Sequence, residues 1–143
     1  MVADAENIVW LQGTAVYDTV QLQDAVLWRA PFHGGAIIAS EAHAVRDFFN
    51  VARRYDDGRG GTALGMRIGG GYVATTNGLS TICYVVRLAD GAMATFDPGP
   101  TYRCGQAMYV NETESGFYVI ESADTVGTTV QLWMVSHDAL TFR

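Results

Sequence analysis

The chain has 143 residues, 15 acidic against nine basic, a formal charge of −6, 49% hydrophobic content and only 17% charged content. That length supports one domain with a sizeable core, the apolar content excludes disorder, and the lack of 18 consecutive apolar residues excludes a membrane-spanning helix. The acidic balance argues against general nucleic-acid binding, which needs a positive field to meet phosphate.

The N-terminal MVADAENIVW has no basic start, no long apolar run and no cleavage site, so no secretory signal is expected. Residues 1–12 read as an extended arm. Short apolar stretches at 8–11, 14–22, 25–28 and 36–39 alternate with polar breaks, and the β-branched and aromatic residues among them predict strands. Pro31 and the Gly34-Gly35 pair mark a turn before Ala36.

One amphipathic helix is expected over about 41–55. Ser40 suits its N-cap, Glu41 its first turn, and Arg53-Arg54 its last. Val45, Phe48, Phe49, Ala52 and Tyr55 recur at three- and four-residue spacing. Asp57-Gly58 supplies the exit.

From 58 to 78 the chain is rich in glycine. Gly58-Arg59-Gly60-Gly61 reads as a loop and Gly69-Gly70-Gly71 as a bulge or bend in a strand pair. Asn77-Gly78 is a two-residue hairpin signal. Within 81–88, Ile82, Tyr84, Val86 and Leu88 share one face while Cys83 and Val85 share the other, so this strand is central and covered twice. With Asp90-Gly91 as the next turn, a three-strand antiparallel meander spans about 72–96. Pro98-Gly99-Pro100 interrupts it, and three further strands follow at 107–110, 117–121 and 128–136, separated by polar turns at 111–116 and 123–127. The whole predicts a single mainly β domain over 1–143, an antiparallel β-sandwich or barrel with one helix.

No catalytic or metal-binding cluster is legible. Every basic residue is arginine, which removes all chemistry that needs a lysine amine. A GC-rich genome explains that bias, and so does a surface covered by other chains, because guanidinium desolvates more easily than ammonium. His33, His43 and His137 show no zinc-ligand spacing and read as surface or half-buried. Ser136-His137-Asp138 cannot converge as a triad, since neighbours on a strand point to opposite faces. Cys83 reads most simply as a small buried hydrophobe, with a Cys83–Cys104 disulfide in an oxidising setting as the alternative.

Two features point to partners. Arg46, Arg53 and Arg54 share one side of the expected helix with Arg59 on the next loop; they read either as a solvated face balanced by nearby aspartates or as an anchor for an acidic protein partner. Trp133 with Gln131, if turned outward while Leu132 and Met134 face in, would give a hydrophobic patch suited to oligomerisation.

Gly70-Gly71-Tyr72-Val73, the Asn77-Gly78 hairpin and the terminal strand over 128–135 resemble the back half of small trimeric jelly rolls, a type used by complement- and tumour-necrosis-factor-like folds and by decoration (cement) proteins of tailed-phage capsids. The resemblance covers about 70–135 and implies a self-assembling β-domain seated on a larger particle. The expected function is therefore that of a non-enzymatic structural protein of a bacteriophage virion, assembled in the host cytoplasm. It would form a homo-oligomer, a trimer by the resemblance, and bind the major capsid or another virion protein, with no cofactor. Arg46, Arg53, Arg54, Arg59 and Trp133 are its expected partner-binding residues. The alternative is a small-ligand or carbohydrate-binding β-module in which Tyr102, Tyr109 and Trp133 stack on sugar.

Overall fold

The computed structural model describes residues 1–15, 21–52, 65–76, 82–121 and 129–143. Over these the chain forms three antiparallel sheets. The N-terminal sheet contains β1 (Val2–Ala3), β2 (Asn7–Ala15), β3 (Gln21–His33), β4 (Ala36–Ile37) and β5 (His43–Ala52), with β4 and β5 both paired to the long β3. The middle sheet contains β6 (Arg67–Gly69), β7 (Tyr72–Thr76), β8 (Cys83–Arg87) and β9 (Met93–Phe96) in chain order. The C-terminal sheet contains β10 (Tyr102–Val110), β11 (Glu114–Glu121) and β12 (Val130–Ser136), also in chain order.

Local sequence chemistry sets the tight turns. Gly34-Gly35 and Gly70-Gly71 join β3 to β4 and β6 to β7, and all four glycines have positive φ, between 58° and 82°. Two consecutive positive φ values define the hairpin turn whose twist matches its strands, so Gly70-Gly71 closes a hairpin rather than forming a bulge. At the next turn Asp90 accepts from Arg87 Nη2 at 2.7 Å and from the Ala92 amide at 3.0 Å. The meander expected over 72–96 is present; its Asn77-Gly78 turn lies outside the described residues.

The sheets stack with the middle one between the other two. Val73 and Val86 point into a core shared with Val9, Ala25 and Leu27 of the N-terminal sheet. Their neighbours Ala74, Val85 and Cys83 point the opposite way, into a core shared with Ala107, Phe117, Val119 and Val135 of the C-terminal sheet. The two-sided apolar pattern of β8 thus reports burial on both faces, as its sequence predicts.

The middle and C-terminal sheets are also joined at one corner. The Ala107 amide donates to the Gly65 carbonyl at 3.1 Å, and a Cβ at Gly69 would stand 2.4 Å from the Val110 carbonyl oxygen. The two cysteines are paired: a Cys83–Cys104 disulfide with a Cα–Cα distance of 5.4 Å ties β8 to β10 inside the second core. The tail then returns to the middle sheet, where Arg143 and Met93 exchange both backbone hydrogen bonds at the edge of β9.

The helix expected over 41–55 is not formed. A single 3-10 turn, Ala39–Glu41, is followed by strand β5 from His43 to Ala52, and residues 53–55 lie outside the described residues. The physical reason lies in the pairing. The β3–β5 register shifts three times, at Leu22/Ala25, Ala25/Val26 and Leu27/Trp28. The last two put the extra residue on β5, at Phe48 and Val45, so two-residue alternation along that strand is lost and its apolar positions fall three and four apart. Valine, phenylalanine, asparagine and aspartate are also indifferent helix formers.

Residues 1–12, read above as an arm, instead form the β1–β2 hairpin and much of β2. Asp4 Oδ1 accepts from the amides of Glu6 and Asn7, and Val2 packs on the first core. Among the described residues no helix is long and apolar enough to cross a membrane.

Candidate functional site

The C-terminal sheet is apolar on both faces and covered on one. On β11, Ser115, Phe117 and Val119 are buried inward, so Glu114, Gly116, Tyr118 and Ile120 lie on the outer face. On β12, Val135 is buried and Trp133 packs against the same core, which turns Val130, Leu132 and Met134 outward. These outer side chains remain in solvent: Leu132 is 54% exposed, Val130 53%, Met134 48% and Tyr118 40%.

Cross-strand pairing arranges them in rows. Tyr109, Gly116 and Met134 make the first, Gln106, Tyr118 and Leu132 the second, and Arg103, Ile120 and Val130 the third. In the first row the Tyr109 ring lies across Gly116, where a Cβ would stand 2.3 Å from the ring. This is the packing by which an aromatic side chain covers a strand glycine. The Tyr109 hydroxyl is 3.0 Å from Glu114 Oε1 and 2.9 Å from Met134 Sδ. Burial and the neighbouring Glu114 carboxylate both push that hydroxyl's pKa up. Among the described residues, charge sits only at opposite ends of this face. Glu114 lies at one end, and Arg103, which is exposed and without an ion pair among the described residues, at the other.

The patch therefore exists, but with the parity opposite to the one considered for Trp133. The Trp133 ring packs against Tyr102 at 5.2 Å and Phe96 at 6.0 Å, and its Nε1 donates to Gln131 Oε1 at 2.8 Å. Both parities of β12 are apolar, and the bulkier indole takes the side that closes the core. With Tyr102 and Trp133 held against each other, Tyr109 alone of the three aromatics considered for sugar stacking lies on the open face. Sequence reasoning missed Tyr118 and Val130. The signal that finds them is the inward set Phe117, Val119 and Val135, which fixes the face of every alternate residue.

The arginine group is not assembled by the described residues. Arg46 lies on β5, where its Nη1 donates to the Arg143 carbonyl at 2.9 Å. Arg53, Arg54, Arg59 and the 58–61 loop lie outside the described residues.

His33 and His43 are exposed, whereas His137 is buried, a correction to its reading as surface or half-buried. Its Nε2 lies 2.9 Å from Ser115 Oγ and its Nδ1 3.3 Å from the Glu112 carbonyl, with the Tyr72 ring 4.3 Å away. Ser115 is fully buried, so substrate cannot reach the hydroxyl and the pair serves to anchor the 3-10 turn His137–Ala139.

A separate open cleft of about 580 Å³ lies between Glu6, Asn7, Arg29 and His33 on one side and Gly71 and Leu88 on the other. Arg29 Nη1 is engaged by the Leu88 carbonyl at 3.0 Å. Among the described residues no group of three or more histidine, cysteine or acidic side chains is placed to hold a metal ion. Compared with protein-family models, curated proteins and solved structures, the chain matches none of them.

Proposed function

We propose that this protein is a non-enzymatic structural component of a virus particle, a β-domain that associates with its own copies and decorates or cements a capsid. The observation that carries this reading is the outer face of the C-terminal sheet, where Tyr118, Val130, Leu132 and Met134 are exposed together on neighbouring strands. An antiparallel sheet with one wet face normally alternates apolar and polar residues. A contiguous apolar patch on a folded domain marks a surface that another chain covers.

The low charge and the all-arginine basic set agree with such burial, because arginine tolerates an interface better than lysine does. Repetition around a shell supplies avidity, so each contact can be modest. The Cys83–Cys104 bond fits a particle released into an oxidising medium, where no reducing system reopens it.

The test is reconstitution. Particles from the source that lack this protein are incubated with the purified chain, pelleted, and heated. The expected result is stoichiometric co-sedimentation and a higher temperature of genome release. No binding to particles, together with saturable binding to members of a glycan panel, would replace this reading with the carbohydrate-binding one.

A further inference from the structure

We infer that the outer face of the C-terminal sheet stacks face to face on the same sheet of a second copy, related by a two-fold axis that runs across the strands. The inference rests on the self-association part of the function proposed above and names the surface and geometry that carry it.

Three observations select a second copy as the occupant. First, the middle of the face holds no charge: Tyr109, Gly116 and Met134 make one of its two central rows and Gln106, Tyr118 and Leu132 the other, with Gln106 polar but uncharged. Such a surface is complementary to another of the same kind, and desolvating it costs no charged group.

Second, the charges at its ends have opposite sign. Arg103 is opposite Ile120, and Glu114 begins the same strand six residues earlier, about 20 Å away at strand rise. An axis across the strands, midway between the Gly116 and Tyr118 rows, exchanges the two ends. Arg103 of one copy then lies over the end of the other that carries Glu114, displaced by one strand spacing of about 5 Å, which an arginine side chain spans. An isologous contact forms this pair twice.

Third, the relief matches under that rotation. Leu132 comes over Met134 of the second copy. Tyr118 comes over the Tyr109 ring that covers Gly116, an aromatic contact of the kind that adds stability beyond its area. The layers then continue through the dimer as they do within the monomer, with sheets about 10 Å apart.

The experiment measures the mass of the full-length protein in solution by sedimentation over a micromolar concentration series, beside four variants. The wild type is expected to be a dimer. Leu132→Glu, at a position half in solvent, is expected to keep the fold and to raise the dissociation constant by about a hundredfold or more, because the two-fold contact buries an uncompensated charge from each copy. Arg103→Glu is expected to weaken the dimer by roughly tenfold or more from like-charge repulsion, and Arg103→Glu combined with Glu114→Arg to restore it. Circular dichroism of each variant identifies any loss of fold, and Met134→Lys serves as the second disrupting variant.

A monomeric wild type, a trimer, or a dimer indifferent to both Leu132→Glu and Met134→Lys overturns the inference. Failure of the charge swap to rescue overturns the two-fold geometry. The function stands or falls separately. A dimer that binds no particle refutes the capsid reading and leaves this contact intact, whereas a monomer whose particle binding is lost with Leu132→Glu shows that the shell, not a second copy, covers the face.

Discussion

His137 shows how one side chain couples burial to pH. Its two ring nitrogens meet different partners, and only one tautomer satisfies both. The Glu112 carbonyl can only accept, so Nδ1 carries the hydrogen and Nε2 accepts from the Ser115 hydroxyl. Desolvation lowers the pKa of this imidazole below its ordinary 6.5, an effect larger than the opposing pull of the Glu112 carbonyl and the nearby Asp138 and Glu114 carboxylates. Because the unfolded chain takes up the proton first, the stabilisation is complete above about pH 6.5, declines as pH falls from there toward the folded-state value, and is constant below it. The melting temperature of the wild type should therefore fall between pH 7 and pH 5 more steeply than that of His137→Gln, and parallel curves would refute the account. Ser115→Ala leaves a buried ring nitrogen without its donor and should cost about 1–3 kcal/mol in chemical denaturation at pH 7.5.

At the scale of elements, legibility depended on how regular each pairing is. The strands β7, β8 and β9 pair without a register shift, and their alternation was readable directly from Tyr84, Val86, Cys83 and Val85. The bulged β3–β5 ladder hid its strand behind helical spacing, and Ser40, which looks like a helix cap, lies in one 3-10 turn whose cap position is Ile38. The sequence marks the strand at 128–136 but not its facing. Apolar residues on both sides leave alternation without a sign, and only the tertiary contact of Trp133 with Tyr102 and Phe96 decides it.

The disulfide is likewise not legible, since a 21-residue separation says nothing about whether two strands approach within 5.4 Å. Closing a loop of that length removes chain entropy worth about 3 kcal/mol from the unfolded state. Reduction, or the paired change Cys83→Ala with Cys104→Ala, should lower the unfolding free energy by about that amount in a denaturant titration. A drop below about 1 kcal/mol would show that the unfolded chain already holds these two segments near each other, so that the cross-link removes little entropy from it.

For the molecule as a whole, the decisive feature is a four-stranded sheet with a core on each side. Val9 belongs to one core and Val119 to the other; both are fully buried, and the backbone of the middle sheet stands between them. Removing two methyl groups at either position should cost about 2 kcal/mol from lost burial and the void left behind. With no shared neighbours, Val9→Ala and Val119→Ala should sum to within about 0.5 kcal/mol in the double variant, and a larger departure would mean that the middle sheet deforms to relieve one void at the expense of the other.

That sheet is in effect a party wall between two sealed rooms. Either room can be refurnished by sequence drift without disturbing its neighbour, so the half of the molecule that bears Leu132 and Met134 is free to retune its contacts while Leu27 and its companions keep the other half upright.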